Sequence, residues 1–328
     1  AAPLPGMADL SDAGSSRRGS GEWEHGSRHE ALYVESDRGG KATPLNSKAA
    51  SSSSVVDSSA KIDDFTIHGL VGEGQFGKVT LVTEKSTQQM YAMKVLRKDL
   101  LLFHGKQSVL QAVTEKQVLQ EMSAEPHPFI VSLLYAFQDE QHLFLVMDYV
   151  GGGDLFTLLE QRGPFSEPWV RFYAGEIVLA LEHVHAHNII FRDLKPENVM
   201  VGMDGHLKLT DFGMSKRLTA SALLVTATIC GTPEYIAPEV LTGSRYSSGI
   251  DWWTLGCLVG EMLTGESPFR AGDVAATVRE ITSAEVELPG WLSASAVSLV
   301  RGLLRKDPSQ RLGALVDEKG AAVGSSSK

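Results

Sequence analysis

The pattern of apolar and polar positions divides the chain into an arm, two folded regions and a short end. Residues 1–60 are rich in Ser, Gly and charge and show no sustained apolar periodicity, so they are predicted to be a disordered arm. Residues 61–150 contain short β-branched and aromatic runs. Residues 151–315 carry apolar positions at helical spacing, and residues 316–328 return to small and polar side chains, which predicts a disordered end.

The first folded region predicts a small β-rich lobe. The runs FTIHGLV, KVTLVTE and YAMKVL are typical of three strands of an antiparallel meander, and a helix is expected at about 107–122. HLFLVMDYV is typical of a buried strand that leads into the Gly cluster GGGD. We place the boundary between two lobes at this cluster.

The second folded region predicts a larger helical lobe. Ser166 followed by Pro168 marks a helix start, and the residues that then recur at helical spacing are Val170, Tyr173, Ala174, Ile177, Leu181 and Val184. DWWTLGCLVGEML is apolar nearly all round, which is typical of a buried central helix. A last helix is expected to carry Val297, Val300, Leu303 and Leu304. The fold class is therefore α+β with two lobes.

Composition and charge narrow the classes of function. Lys+Arg 30 against Asp+Glu 40 gives a net charge of -10, which argues against a nucleic-acid partner and suits a cationic substrate, although ordinary solubility also accounts for the total. Cys230 and Cys257 lie in apolar segments, so no disulfide framework is predicted, and a reducing intracellular setting fits. No apolar run reaches the roughly 20 residues that span a bilayer. We expect a soluble monomer in the cytoplasm, which could also enter the nucleus.

A Gly-rich stretch, GEGQFGKV, runs from Gly72 to Val79. Glycines at this spacing let a backbone approach phosphates without interference from Cβ atoms. A dinucleotide-binding fold would need a helix directly after the third Gly, whereas the residues after it are typical of a strand. The stretch is therefore predicted to be a hairpin lid, with a plain Gly-rich hairpin as the alternative.

Lys94 in YAMKVL and Glu115 in the following helix form a candidate ion pair. Ala112, Leu119 and Met122 place the carboxylate of Glu115 on an apolar face of the helix. A buried carboxylate needs a cation, and Lys94 could satisfy it while also binding nucleotide phosphates. The alternative is that Glu115 is a solvated helix charge.

Three polar side chains after apolar runs indicate phosphate chemistry. DFG follows the alternating run HLKLT, so Asp211 is expected at the end of a strand. Asp211 and Asn198 offer oxygen ligands of the hard type that magnesium takes beside phosphates. Asp193, in IIFRDLKPENVM, could orient a hydroxyl and accept its proton.

Taken in order, these segments resemble the motifs of the AGC group of eukaryotic protein kinases. The matching elements, over about residues 62–313, are GEGQFGKV, YAMK, Glu115 in TEKQVL, FRDLKPEN, DFG, CGTPEYIAPE, DWW and Arg311 in QRLG. LYAFQDEQHLFLVMDY and QRLGA are most similar to the ribosomal-protein kinase and protein kinase B branch. DLKPEN and GTPEY resemble the serine/threonine class. The resemblance implies a bilobal kinase fold and an ATP- and Mg-dependent serine/threonine kinase.

The resemblance also implies nucleotide-binding roles. The glycines would cover the phosphates, Val79, Ala92 and Met200 would sandwich adenine, and the backbone from Asp148 to Val150 would bond it while Met147 guards the back of the pocket. The full set is Gly72, Gly74, Gly77, Val79, Ala92, Lys94, Glu115, Met147, Asp148, Val150 and Met200.

Catalytic and metal roles follow from the same resemblance. Asp193 would be the catalytic base, Lys195 would neutralise the transferring phosphoryl group, and Thr232 would steady both residues. Asn198 and Asp211 would hold magnesium. Asp251 would brace the backbone of the catalytic loop, and Glu239 with Arg311 would form a buried structural ion pair.

Substrate and control residues are implied as well. Asp154, Glu197 and Glu261 match positions that bind substrate arginines, although Asp154 is one methylene shorter than the usual Glu and a solvated surface role is the alternative for all three. Thr228 matches the phosphothreonine of the activation segment. An upstream kinase would modify Thr228, and the cations Arg192 and Lys216 would receive the phosphate.

Two departures from the family pattern bear on activity. Phe191 replaces the usual Tyr or His before Arg192, a change that should be tolerated because the position requires mainly an aromatic ring that packs on Phe212. The expected AGC tail after the last helix is absent, so either the chain is a fragment or something else supports the small lobe. The alternative function is a catalytically weak nucleotide-binding scaffold that is disabled by the missing tail.

Overall fold

The smaller lobe is built on a five-stranded antiparallel sheet. The structure is a computed structural model that describes residues 56–218, 233–244 and 246–313. The strands are β1 Phe65–Gly74, β2 Gly77–Glu84, β3 Met90–Arg97, β4 Leu133–Gln138 and β5 His142–Asp148, in the order β1-β2-β3-β5-β4. The predicted meander of three strands and the buried strand before GGGD are confirmed. β4 was not predicted.

Two helices lie between β3 and β4. These are α1 Lys98–Phe103 and α2 Lys106–Ala124. The helix expected at 107–122 is confirmed, and its buried face includes Ala112, Leu119 and Met122 as the apolar spacing requires. The six-residue α1 was not predicted, because a segment of that length is too short to show helical periodicity.

The residues just before β1 extend the sheet beyond β4. The N–H of Asp57 donates to the carbonyl oxygen of Leu134 at 3.0 Å, and the N–H of Ala136 donates to the carbonyl oxygen of Asp57 at 3.0 Å. Val56 is buried in the main core. The prediction that the disordered arm reaches residue 60 is therefore wrong for residues 56–60. The rest of the arm and the predicted end, 316–328, lie outside the described residues.

The larger lobe is mainly helical. Its helices are α3 Leu155–Arg162, α4 Glu167–Ala186, α5 Pro238–Leu241, α6 Gly249–Thr264, α7 Val274–Ser283 and α8 Ala294–Leu303. Four short strands, β6 Ile189–Ile190, β7 Val199–Val201, β8 Leu207–Leu209 and β9 Lys216–Arg217, form the pairs β6–β9 and β7–β8. The predicted two-lobed α+β fold is confirmed.

The core of the larger lobe forms around α4 and α6. The apolar positions predicted for α4 are all buried. In α6 every residue except Glu261 and Thr264 is buried, so the predicted central helix is confirmed. A Cβ atom on Gly256 would lie 2.9 Å from Cβ of Leu303, so the absence of a side chain lets α6 approach the end of α8 closely.

No helix in the described part of the chain is long and apolar enough to cross a membrane.

Candidate active site

A buried ion pair links β3 to α2. Nζ of Lys94 lies 2.5 Å from Oε1 of Glu115 and 3.4 Å from Oδ1 of Asp211, and the Glu115 side chain is only 5% exposed. Burial alone would lower the pKa of Lys94, but the two carboxylates outweigh burial and raise it, so the amine stays charged. The predicted Lys94–Glu115 pair is confirmed, and the solvated alternative for Glu115 is excluded.

Asp211 lies two residues after the end of β8, in a left-handed backbone conformation. Its φ is 59°, and its Oδ1 accepts a hydrogen bond of 3.2 Å from the N–H of Gly213. A non-glycine residue in this conformation is held by its surroundings, and such residues cluster at functional sites. The charge of Lys94 lowers the pKa of Asp211 and outweighs the opposing effect of partial desolvation, so the carboxylate is available as an anionic ligand.

Asp251 of α6 holds the catalytic loop by its backbone. Its two carboxylate oxygens accept hydrogen bonds of 2.8 Å from the N–H groups of Phe191 and Arg192. His185 at the end of α4 lies 2.7 Å from the same carboxylate. These contacts fix Arg192 at a φ of 73°, another left-handed conformation. The predicted bracing role of Asp251 is confirmed, whereas the contribution of His185 was not predicted.

Two residues of the loop contact the carboxylate of Asp193. Nζ of Lys195 lies 3.0 Å from Oδ2 of Asp193. Nδ2 of Asn198 donates to the same oxygen at 2.8 Å and to the backbone oxygen of Asp193 at 2.7 Å. Asp193 is thus held in one orientation by an amine and an amide, and its side chain is still 20% exposed toward an incoming group.

The residues proposed to hold magnesium suit a hard cation. Because Nδ2 of Asn198 is committed to Asp193, the amide oxygen of Asn198 is the atom left for a ligand. The Asp211 side chain is 48% exposed, and its backbone neighbour Thr210 donates to the carbonyl oxygen of Asn198 at 3.0 Å, which keeps the two ligands together. Among the described residues no three His, Cys, Asp or Glu side chains are grouped as metal ligands. Phosphate and water oxygens would have to complete such a site.

The Gly-rich stretch forms the predicted hairpin. β1 and β2 pair from Gly72 opposite Val79 to Gly74 opposite Gly77, and strand β2 begins at the last glycine, Gly77. A Cβ atom on Gly77 would lie only 1.8 Å from the carbonyl oxygen of Val95, so β3 approaches too closely for any other residue. Gly77 is therefore required because the backbone of β3 lies close to it.

The residues proposed to enclose adenine come from both lobes. Ala92 of β3 pairs with Met147 of β5, and Met147 is buried at the back. Met200 lies in β7, where it bridges to Asp154 just after the connector. The N–H of Asp148 donates to the carbonyl oxygen of Ser132 at 3.1 Å, so that N–H is already occupied.

The proposed substrate-binding acids Asp154 and Glu261 have different hydrogen-bond partners. Oδ1 of Asp154 accepts a hydrogen bond of 2.7 Å from the N–H of Thr157 and so caps the N-terminus of α3. Glu261 accepts a hydrogen bond from the hydroxyl of Tyr235. Burial raises the pKa of Glu261, the hydrogen bond from Tyr235 acts against this shift, and the charges of Glu197 and Glu234 raise the pKa further. We call Glu197, Glu234 and Glu261 the anionic patch.

The two threonines proposed for the activation segment, Thr228 and Thr232, lie outside the described residues. The cations that were predicted to receive a phosphate are described. Burial lowers the pKa of Lys216, and the nearby charge of Arg192 lowers it further. The two cations therefore lie close enough to repel each other.

Comparison with known proteins decides the family. The family described as "Protein kinase domain" matches residues 65–317, which is most of the chain. The chain belongs to the protein kinase family. The predicted resemblance to AGC-group serine/threonine kinases is confirmed by the relatives below.

These relatives are serine/threonine kinases of the RAC type and similar enzymes. The chain is 46% identical over 255 residues to "Protein kinase 2" of Dictyostelium discoideum, covering 78% of this chain and 52% of the relative. It is 45% identical over 251 residues to the "RAC family serine/threonine-protein kinase homolog" of the same organism, covering 76% and 55%. It is 46% identical over 252 residues to "RAC-beta serine/threonine-protein kinase" of Homo sapiens, covering 77% and 51%. The chain spans about half the length of these relatives.

A buried ion pair closes the larger lobe of this kinase domain. Nη1 and Nη2 of Arg311 lie 2.7 and 2.9 Å from the two carboxylate oxygens of Glu239. Nη1 also donates to the carbonyl oxygen of Gly249, and Nε donates to that of Arg305. The predicted Glu239–Arg311 pair is confirmed, and its guanidinium is satisfied on three sides.

Two charged residues of the kinase cleft, Glu234 and Lys208, were not predicted from the sequence. Glu234 is the acidic residue of GTPEY. Its position beside Tyr235 was a sequence signal that could have placed it in the anionic patch. Lys208 is the polar position of the alternating run HLKLT and reaches the carboxylate of Asp148 at 2.8 Å. Nothing local in the sequence indicates that contact, because the two residues are 60 positions apart.

Proposed function

We propose that this protein is an ATP-dependent serine/threonine kinase that transfers the γ-phosphoryl group of ATP to Ser or Thr in arginine-containing proteins. The observation that carries the proposal is the arrangement of Lys94, Asp193, Asn198 and Asp211. Lys94 is fixed by the buried Glu115, and Asp193 is fixed by Lys195 and Asn198. The amine of Lys94 and the carboxylate of Asp193, which phosphoryl transfer requires, are thus each held in place by a partner.

The chemistry of the chain's own residues follows from this arrangement. Asp193 accepts the proton of the attacking hydroxyl group and aligns it, and Lys195 beside it neutralises the charge that develops on the phosphoryl oxygens. Lys94, kept protonated by Glu115 and Asp211, binds the phosphates. Bound magnesium would supply further charge neutralisation at the phosphates. The amide oxygen of Asn198 and the carboxylate of Asp211 would hold this ion.

The preference for basic substrates rests on the anionic patch. Glu197 is exposed. The negative charges of Glu197 and Glu234 raise the pKa of Glu261, so the three carboxylates repel one another. A substrate arginine would relieve this mutual repulsion and form charge-assisted hydrogen bonds. Asp154 is the weaker candidate, because one of its carboxylate oxygens caps α3.

Control and cellular context complete the proposal. We infer that an upstream kinase phosphorylates Thr228 and that Arg192 and Lys216 bind the phosphate. Within the described ranges neither cation forms an ion pair, and two adjacent cations repel each other. The protein would act as a monomer in intracellular signalling, in the cytoplasm and also in the nucleus. A basic protein is the expected substrate, with no role for nucleic acid.

A peptide-phosphorylation experiment tests the function. The wild type and Asp193→Ala are incubated with radiolabelled ATP and a peptide that has arginines two to five residues before a Ser. Positioning of the base is worth roughly 10²–10⁴ in rate, so Asp193→Ala should lose at least that factor while its unfolding curve stays near that of the wild type. Transfer that is absent from both proteins even after treatment with an upstream kinase would favour the scaffold alternative. A preference for acidic or proline-directed peptides would overturn the substrate class.

A further inference from the structure

An ion pair joins the two lobes beside the connector. Lys208 lies in β8 of the larger lobe, and Asp148 is the last residue of β5 in the smaller lobe. Nζ of Lys208 lies 2.8 Å from Oδ2 of Asp148, and the two side chains are about equally half-buried at 30% and 29% exposure. No other charged partner within 4 Å is present for either group among the described residues.

The carboxylate of Asp148 also holds the loop before β4. Its Oδ2 accepts a hydrogen bond of 3.1 Å from the N–H of Ser132, and the N–H of Asp148 returns a bond of 3.1 Å to the carbonyl oxygen of Ser132. Nζ of Lys208 lies 3.5 Å from the carbonyl oxygen of Ile130 in the same loop. Asp148 is therefore fixed through both its backbone and its side chain.

Lys208 is tied to the other side of the nucleotide pocket as well. In the β7–β8 ladder, Lys208 is the residue paired with Met200, one of the residues proposed to contact adenine from the larger lobe. The connector that starts at Asp148 continues along β7, where the N–H of Gly152 donates to the carbonyl oxygen of Val201 at 2.9 Å. Lys208 thus links Met200, on one side of the proposed adenine pocket, to Asp148 at the start of the connector.

We propose that Lys208 is a positioning residue for the adenine base. By holding Asp148, Lys208 sets the position of the backbone from Asp148 to Val150 relative to Met200. That position determines how well the edge of adenine can form hydrogen bonds with this backbone. The proposal rests on the ATP-dependent function above. Lys208 itself does not contact ATP in this proposal. Its substitution should therefore weaken binding of the adenine end of the nucleotide and leave binding of the phosphates unchanged.

The test separates adenine from phosphate binding. Equilibrium affinities of ATP, adenosine and inorganic triphosphate are measured for the wild type, Lys208→Met, Lys208→Arg and the control Lys116→Met, which removes an exposed lysine of α2. Loss of one charge-assisted contact should weaken ATP and adenosine alike by about tenfold in Lys208→Met and leave triphosphate unchanged. Lys208→Arg should restore most of the affinity, and Lys116→Met should behave as the wild type.

Kinetics provide a second readout. In Lys208→Met the KM for ATP should rise by about the same factor while kcat changes less than twofold, since the catalytic loop is untouched. Unchanged adenosine affinity in Lys208→Met would overturn the inference, as would an equal loss for triphosphate, which would indicate simple charge attraction or a general loss of structure. Failure of the proposed function looks different, because the wild type would then bind adenosine but not phosphorylate the peptide.

Discussion

Phe191 and Phe212 lie edge to face, with ring centroids 5.0 Å apart and planes at 79°. Neither ring exposes any surface. The contact joins the loop that carries Asp193 to the segment that carries Asp211. Aromatic pairs in this geometry contribute about 0.5–1.5 kcal/mol beyond the burial of their area. The predicted packing of Phe191 on Phe212 is confirmed, and the function of the ring at this position is to fill space between two catalytic segments.

Phe191→Tyr should change peptide phosphorylation only a few-fold. The substitution keeps the ring and adds one hydroxyl, whereas Phe191→Ala would open a cavity at a fully buried position and cost about 3–5 kcal/mol of stability. Initial rates at saturating ATP, measured beside urea unfolding curves, check both expectations. A loss of several orders of magnitude in Phe191→Tyr with normal stability would mean that this position acts directly in the chemistry.

Glu115→Gln should lower kcat/KM by about 10²-fold, a loss typical of a catalytic group displaced by about 1 Å. The amide cannot hold the charge of Lys94, which would then be drawn to Asp211 alone, 3.4 Å away. The fold should survive, because Lys94 keeps that second carboxylate. Steady-state kinetics with varied ATP measure the effect. Kinetics equal to those of the wild type would show that the buried pair does not position Lys94.

Thr228→Ala should remain poorly active even when an upstream kinase is supplied, and phosphatase treatment should reduce wild-type activity to a similar level. A phosphate on Thr228 would bring about -1.5 to -2 of charge to Arg192 and Lys216. Mass mapping confirms the modified residue, and Thr226→Ala is the matched control. If wild type and Thr228→Ala were equally active under these conditions, control would lie elsewhere.

Three histidine rings are in contact where α4 meets the loop before β4. Ring centroids of His127 and His183 are 4.9 Å apart, and those of His183 and His187 are 4.7 Å apart. Burial lowers the pKa values of His127 and His183, and the neighbouring imidazoles lower them further; Lys208 adds to the effect on His127. Glu125 acts against the shift at His183 without cancelling it. The folded protein therefore resists protonation here more than the unfolded chain does.

The stability that the neutral side chains of His127 and His183 contribute should fall as the pH drops below about 6.5, the unperturbed histidine pKa. Groups with a lowered pKa in the folded state contribute stability above that pH and lose it as the pH falls through the folded value. His183→Gln should flatten the dependence between pH 7 and 5, measured by urea unfolding. His206 is a control of opposite sign: Glu176 raises its pKa, so His206→Gln should cost more at pH 6 than at pH 8. Parallel curves for wild type and His183→Gln would contradict the account.

Glu239→Gln should lower the free energy of unfolding by about 3–5 kcal/mol, because it leaves the guanidinium of Arg311 buried without its anion. The matched control is Glu121→Gln, which breaks the half-exposed pair of Glu121 with Arg217 and should cost no more than about 1 kcal/mol. Urea unfolding of the two variants beside the wild type makes the comparison. Similar losses in both variants would show that burial does not set the strength of the pair.

The sequence predicts two kinds of feature in this fold: elements with a local apolar periodicity, and buried charges that need an oppositely charged partner. The meander, α4 and α6 follow from apolar spacing, and the Lys94–Glu115 pair follows from placing a carboxylate on an apolar helix face. Asp193, Asn198 and Asp211 were predicted from their positions after apolar runs and from the family resemblance. The structure brings the first two into contact and ties the third to Lys94.

Residues that act through tertiary contacts were harder to predict. Asp154 caps a helix that the sequence pattern did not reveal, so its local bond to Thr157 could not be weighed against a role in substrate binding. Lys208 is an ordinary polar position until the fold places Asp148 beside it. Val56 lies in a Ser-rich stretch, and its burial depends on β4, which is about 80 residues away along the chain.

The pairing of Asp57 with β4 has a practical consequence for where the domain can be cut. A truncated chain beginning at residue 61, where composition changes, would leave the outer edge of β4 with unpaired N–H and C=O groups and remove Val56 from the core. Unpaired edge strands are templates for association with other chains. Such a fragment would tend to aggregate during expression, whereas one beginning before Val56 would carry its own edge cover.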